Sequence, residues 1–165
     1  MTPAALAAHP PRPNAPGAST SGETRFETNK MRLRTICTSK IHHATVTEAN
    51  VAYIGSIGID ADLLELADIR PGEKVGVWNV NNGARIETYA IPAPRGSGEI
   101  IVNGAAARHF EVGDRVIIVA FSLTDEEIQP RMLVVGERNE FAGWLQTSAD
   151  PSAVEEEVVA PAEEL

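Results

Sequence analysis

The sequence predicts a mainly β fold, a small closed barrel with short helices, and three observations carry that prediction. Short apolar or alternating runs recur through the middle of the chain, separated by Gly, Pro and Asn turn signals. One such signal, Asn81–Gly83, sits between two of the runs as a tight hairpin turn. Helical pattern is confined to brief stretches, and many short strands joined by turns suit a small barrel.

Taken in order, residues 1–30 hold five prolines and six alanines and present no amphipathic face, so a disordered leader is expected there. Met31 is an alternative start. From it, Met31, Leu33 and Thr35 alternate with Arg32 and Arg34 as in a strand. Asp60 is placed to cap a helix over Ala61–Ala67, with Leu63, Leu64 and Ala67 on one side. The turn Arg70-Pro71-Gly72 ends it. Val75–Val80 and Arg85–Ile91 flank the hairpin turn as paired strands. Glu99–Val102 reads as a strand, and a second short helix is expected from Asn103 through Ala107. Arg115–Phe121 is apolar enough for a strand buried on both faces, and Arg131–Val135 is another strand. Residues 143–165 carry six acidic side chains and no basic one, which predicts an acidic disordered tail. The folded unit is therefore expected over 31–142.

Composition narrows the function. A length of 165 residues suits one domain. No apolar run approaches the ~20 residues of a membrane helix, so no membrane partner is expected. The net charge is −9, whereas phosphate-backbone binding needs clustered Lys and Arg, so nucleic acid is not an expected partner either. Residues 31–142 hold 11 basic against 15 acidic side chains, a net −4, so more than half of the acidity lies in the termini. The single Cys37 cannot pair internally, which fits a reducing cytoplasm. Pro3, Pro10, Pro11 and Pro13 interrupt the N-terminus before any apolar signal segment could form. His42 and His43 are neighbours that a regular strand would point to opposite faces, and no third ligand accompanies them, so no metal is expected. No glycine loop suits pyridoxal phosphate or a dinucleotide.

Three segments carry chemistry: KIHHATVTEANVAYIGS (Lys40–Ser56), WNVNNGARIETYAI (Trp78–Ile91) and IIVNGAAA (Ile100–Ala107). Singly, each is ordinary. A Gly-Ser pair is usually a loop, a strand tyrosine usually packs, and a lone Lys or Arg is usually a solvated side chain. In this order and spacing, however, they resemble the bacterial aspartate 1-decarboxylases, from Met31 to about Phe141. The resemblance implies a double-psi β-barrel and a homotetramer. It also implies an inactive precursor that cleaves itself at Gly55-Ser56, leaving a β chain, 1–55, and an α chain, 56–165. Ser56 would become a pyruvoyl group, the only cofactor, through ester formation on the Gly55 carbonyl and β-elimination. Its ketone would form a Schiff base with the amine of L-aspartate and accept electrons as CO2 leaves, giving β-alanine for pantothenate and coenzyme A.

The remaining roles follow residue by residue. Thr88 matches the threonine of processing and substrate binding, and Tyr89 the proton donor. Lys40 and Arg85 match the cations that meet the substrate's two carboxylates. Asn103, Gly104, Ala105 and Ala106 would bring backbone amides and small side chains to the substrate. Tyr53, Trp78 and His42 are expected to shape the pocket. Two alternatives stay open at this point: another acidic amino acid as substrate, and a non-catalytic barrel used as a binding module.

Overall fold

In the computed structural model, residues 31–145 and the backbone of 158–159 are described. The leader, 1–30, and the acidic tail beyond Leu145, apart from the backbone of Val158–Val159, lie outside the described residues. The fold is mainly β, as the sequence predicts. Strand β1 (Arg34–Thr45) is followed by β2 (Glu48–Asn50), β3 (Ser56–Asp60) and helix α1 (Ala61–Ala67). Then come β4 (Lys74–Asn79), β5 (Arg85–Ala93), β6 (Ile100–Asn103) and a 3-10 helix, Gly104–His109. Strands β7 (Arg115–Thr124), β8 (Arg131–Val135), β9 (Phe141–Leu145) and β10 (Val158–Val159) complete the order. β9 crosses the boundary expected at residue 142.

The strands form one ladder in the order β10-β9-β8-β1-β7-β4-β5-β3-β6-β2. Hydrogen bonds do not join its two ends. Even so, Ile41 from β1, Val77 from β4, Ile57 and Ile59 from β3, Val102 from β6 and Leu133 from β8 share one buried core. A sheet whose two halves cover a single core must be strongly curved, the shape a barrel requires. Thr47 ties the halves together. Its N–H and hydroxyl both donate to the Ile100 carbonyl, at 2.8 and 3.0 Å, and its hydroxyl accepts from the Ile100 N–H at 2.9 Å.

Local chemistry explains the elements. The Asp60 carboxylate accepts from Asp62 N–H at 2.8 Å, capping α1, and also from the N–H groups of Gly96 and Gly98. Leu63, Leu64 and Ala67 are the buried face of α1, as its spacing predicts. At the hairpin, Gly83 takes φ +76° and its N–H donates to the Asn79 carbonyl.

Four departures from the sequence reading have physical causes. β1 starts three residues later than the alternation at Met31 and runs much longer, because β7 and β8 flank it on both sides. In β7, burial on both faces stops at Ala120; Phe121 and Leu123 are exposed. The short helix expected from Asn103 through Ala107 runs over Gly104–His109 and is of the 3-10 type. Finally, His42 and His43 do not point to opposite faces. A bulge between Ile41 and Ala44, with His43 at φ +61°, breaks the alternation and stacks the two rings 3.8 Å apart.

Candidate active site

Ser56 opens β3, and its position follows from that strand's two neighbours. On one side β3 runs antiparallel to β6, pairing Ser56 with Asn103. On the other it runs parallel to β5, pairing Ile57 with Ala90, which sets Ser56 at the level of Tyr89. Pairing on both edges buries β3 completely; Ser56 is 1% exposed. Its hydroxyl oxygen accepts a hydrogen bond from Asn103 Nδ2 at 3.3 Å. Asn103 precedes the 3-10 helix but does not cap it with its side chain, which leaves the amide for Ser56.

A cavity of about 600 Å³ opens beside Ser56, lined by Gly55, Thr88, Tyr89, Asn103, Ala105 and Ala106 among others. Tyr89 is 43% exposed on its wall, so the phenol is open to a bound molecule. Seven of the residues singled out in the sequence thus converge on one space. Gly104 has a different place. It takes φ +63°, and a Cβ there would lie 2.8 Å from Gly55 Cα and 2.9 Å from Gly55 N. Its missing side chain lets the Gly55–Ser56 segment pass close to the 3-10 helix. A Cβ at Gly55 itself would meet nothing within 4 Å.

The two cations lie elsewhere on this chain. Lys40 sits on β1, paired with Val119 of β7 and Met132 of β8, so β7, β4 and β5 separate it from β3 in the ladder. Arg85 stacks over the Trp78 ring at 4.6 Å. Arg85 and Trp78 line a neighbouring cavity of about 420 Å³ together with Phe121 and Leu123. Ile86 and Glu87 are common to the two cavities. His42 is buried against His43, and Tyr53 is exposed; neither side chain lines the Ser56 cavity.

The comparisons with known proteins decide what this arrangement belongs to. The aspartate decarboxylase family model matches residues 31–142. The chain belongs to the aspartate decarboxylase family. It is 56% identical to the aspartate 1-decarboxylase of Carboxydothermus hydrogenoformans over 111 residues, covering 65% of this chain and 87% of that one. Identity and coverage are the same against the Listeria monocytogenes aspartate 1-decarboxylase. Against the Exiguobacterium sibiricum aspartate 1-decarboxylase it is 57% over 117 residues, covering 68% and 92%.

The residues around Ser56 fit the pyruvoyl group that this family implies. The position is buried, an amide N–H is already directed at it, and Gly55 before it leaves the backbone unhindered. Among the described residues, no three His, Cys, Asp or Glu side chains are placed to hold a metal ion. No described helix is long and apolar enough to cross a membrane.

Sequence reading missed four cavity residues: Ile54, Ile86, Glu87 and His109. Ile54 and the β5 pair lie within the quoted motifs, beside the residues singled out, and could have been included by adjacency. His109 could not, because its approach depends on helix type. With three residues per turn, Ala106 and His109 lie one above the other, whereas an α-helix would rotate them apart.

Proposed function

We propose that this chain is a carboxy-lyase that removes the α-carboxylate of L-aspartate to give β-alanine and CO2, using a pyruvoyl group made from its own Ser56. One observation carries the reading. In a chain 56–57% identical to aspartate 1-decarboxylases, Ser56 stands buried between Asn103 and the Thr88-Tyr89 strand, facing a cavity large enough for an amino acid. β-Alanine is the product that pantothenate synthesis consumes, and the cytoplasm is the compartment proposed. Residues 31–142 are the catalytic domain in this reading.

Processing uses this chain's own groups. The Ser56 hydroxyl adds to the Gly55 carbonyl carbon, the amide C–N bond breaks, and an ester forms with the Ser56 amine released. Thr88 donates a hydrogen bond to the carbonyl oxygen as charge gathers there. Elimination then frees the Gly55 carboxylate, and hydrolysis of the remaining unsaturated residue expels ammonia and leaves a ketone at position 56. When present, that ketone supplies an electron sink next to the substrate's α-carbon. Ala105 and Ala106 leave room for the substrate. Tyr89 O–H holds the proton delivered to the α-carbon once CO2 has gone.

Denaturing intact-mass measurement tests the reading: two fragments, 1–55 and 56–165, are expected. A single stable chain, or no CO2 from L-aspartate, would overturn it. Tyr89→Phe should split normally yet turn over about 10²–10⁴-fold more slowly. Unchanged turnover would remove Tyr89 as the proton donor.

The assembly proposed is a homotetramer of cleaved protomers, and the cations support it. Lys40 and Arg85 lie outside the Ser56 cavity, while exposed Phe121 and Leu123 flank Arg85 as an apolar surface. A second copy seated there could bring a cation to its neighbour's Ser56. Co-producing Lys40→Ala and Ser56→Ala chains tests this. Mixed tetramers should recover activity that neither variant has alone; tetramers without recovery would place Lys40 in its own protomer's site.

A further inference from the structure

The exposed face of the β4–β5 hairpin carries charges that neither processing nor proton transfer uses. Antiparallel register sets Trp78 opposite Arg85, Gly76 opposite Glu87 and Lys74 opposite Tyr89. Side chains two apart on a strand share a face, so Arg85, Glu87 and Tyr89 stand in one row beside Trp78, Gly76 and Lys74. Arg85, Glu87 and Lys74 all line the cavity of about 420 Å³, and among the described residues Glu87 is its one carboxylate. Two cations there share a single anion.

Glu87 has both of them within reach. It is paired diagonally across the strands with Lys74, Nζ to Oε2 at 2.6 Å. Arg85 is its neighbour two residues back on the same strand, about 7 Å away at Cα, a gap that two long side chains can close. Trp78 inclines Arg85 toward it. The indole leans over Gly76, where a Cβ would stand 3.2 Å from Nε1, and the Arg85 guanidinium stacks on that indole at 4.6 Å. Even so, among the described residues Arg85 has no carboxylate partner.

We propose that Lys74 is a positioning residue for substrate binding: by holding Glu87 it keeps that carboxylate off Arg85, whose guanidinium stays free for a carboxylate of the substrate. The inference deepens the reading above and rests on it, with Arg85 as one of the two cations that meet L-aspartate. Without Lys74 the Glu87 carboxylate turns to Arg85. An anion tethered two residues away then competes with a dissolved one, and its effective concentration favours it.

The test uses the full-length, self-processed chain with Lys74→Ala, Lys74→Arg and the double variant Lys74→Ala/Glu87→Gln. The two side chains are 70% and 71% exposed, so every variant should fold and split at Gly55-Ser56 like the unaltered chain. Circular dichroism and intact mass check this. Lys74→Ala should raise KM for L-aspartate about fivefold with kcat within about twofold, since one exposed ion pair replaces another. Succinate, a dicarboxylate with no amine to react, should bind that variant about fivefold more weakly by calorimetry. Lys74→Arg keeps a cation for Glu87 and should stay within about twofold on both measures. The double variant removes the competitor together with its restraint, so KM and succinate affinity should return to within about twofold of the unaltered chain. A direct contact between Lys74 and the substrate would show no such rescue. Unchanged KM in Lys74→Ala would overturn the proposal, as would a fall in kcat alone or a double variant as weak as the single one. Absence of CO2 release by the unaltered chain would instead remove the reading beneath it, while succinate binding across the same chains still reports the competition for Arg85.

Discussion

Ser56→Ala should leave the chain whole at 165 residues and reduce CO2 release from L-aspartate to background. The methyl group fits the buried position with little strain, so the effect would be chemical and not a failure to fold. One hydrogen bond is lost, from Asn103 Nδ2. A buried amide without its partner costs about 1–3 kcal/mol, which lowers the denaturation midpoint but leaves the fold populated. With no hydroxyl at position 56, nothing adds to the Gly55 carbonyl and no ketone arises. Intact mass, circular dichroism and CO2 release separate these effects. Release of CO2 from an unsplit, folded Ser56→Ala chain would sink the mechanism.

Gly104→Ala should have the second-largest effect, through geometry alone. Alanine at φ +63° carries the left-handed cost of about 1–2 kcal/mol. Its Cβ would also press on Gly55 Cα at 2.8 Å, Gly55 N at 2.9 Å and the Tyr53 carbonyl at 3.1 Å. These are backbone atoms and cannot rotate aside, so overpacking adds about 1–3 kcal/mol. Relief comes by moving the segment that carries the bond to be cleaved. Because a displacement near 1 Å can cost about 10²-fold in rate, splitting should slow at least tenfold. Gly72→Ala is the control. Gly72 has φ +84° with nothing within 4 Å of its missing Cβ, so stability should fall while splitting stays normal. Mass spectra taken through maturation distinguish the two glycines. Equal splitting rates would show that the contact with Gly55 is dispensable.

Much of the fold was legible wherever local signals sufficed. Helix α1 has the predicted bounds, Asp60 caps it, and the Asn81–Gly83 turn joins β4 to β5. β8 was read to the residue. β2 and β3 were not anticipated. Glu48–Asn50 is too short to show a period, and SIGID contains a glycine and becomes a strand only because β5 and β6 flank it. β9 begins at Phe141, just before the stretch whose acidity pointed to a tail, and runs into it.

The candidate site divides in the same way. Side-chain chemistry and the order of the motifs, written in the sequence, singled out the candidates: Ser56 beside Gly55, the Thr88-Tyr89 pair, and Asn103 before small residues. Tertiary structure decided what stands next to what. Pairing β3 on both edges brings residues 56, 89 and 103 into one cavity from three separate strands. A bulge turns His43 onto His42, a 3-10 helix carries His109 over Ala106, and the ladder order keeps Lys40 away from Ser56. Each of these depends on strand register, helix pitch or sheet order. Such quantities are set by packing between distant segments, which no short stretch of sequence contains.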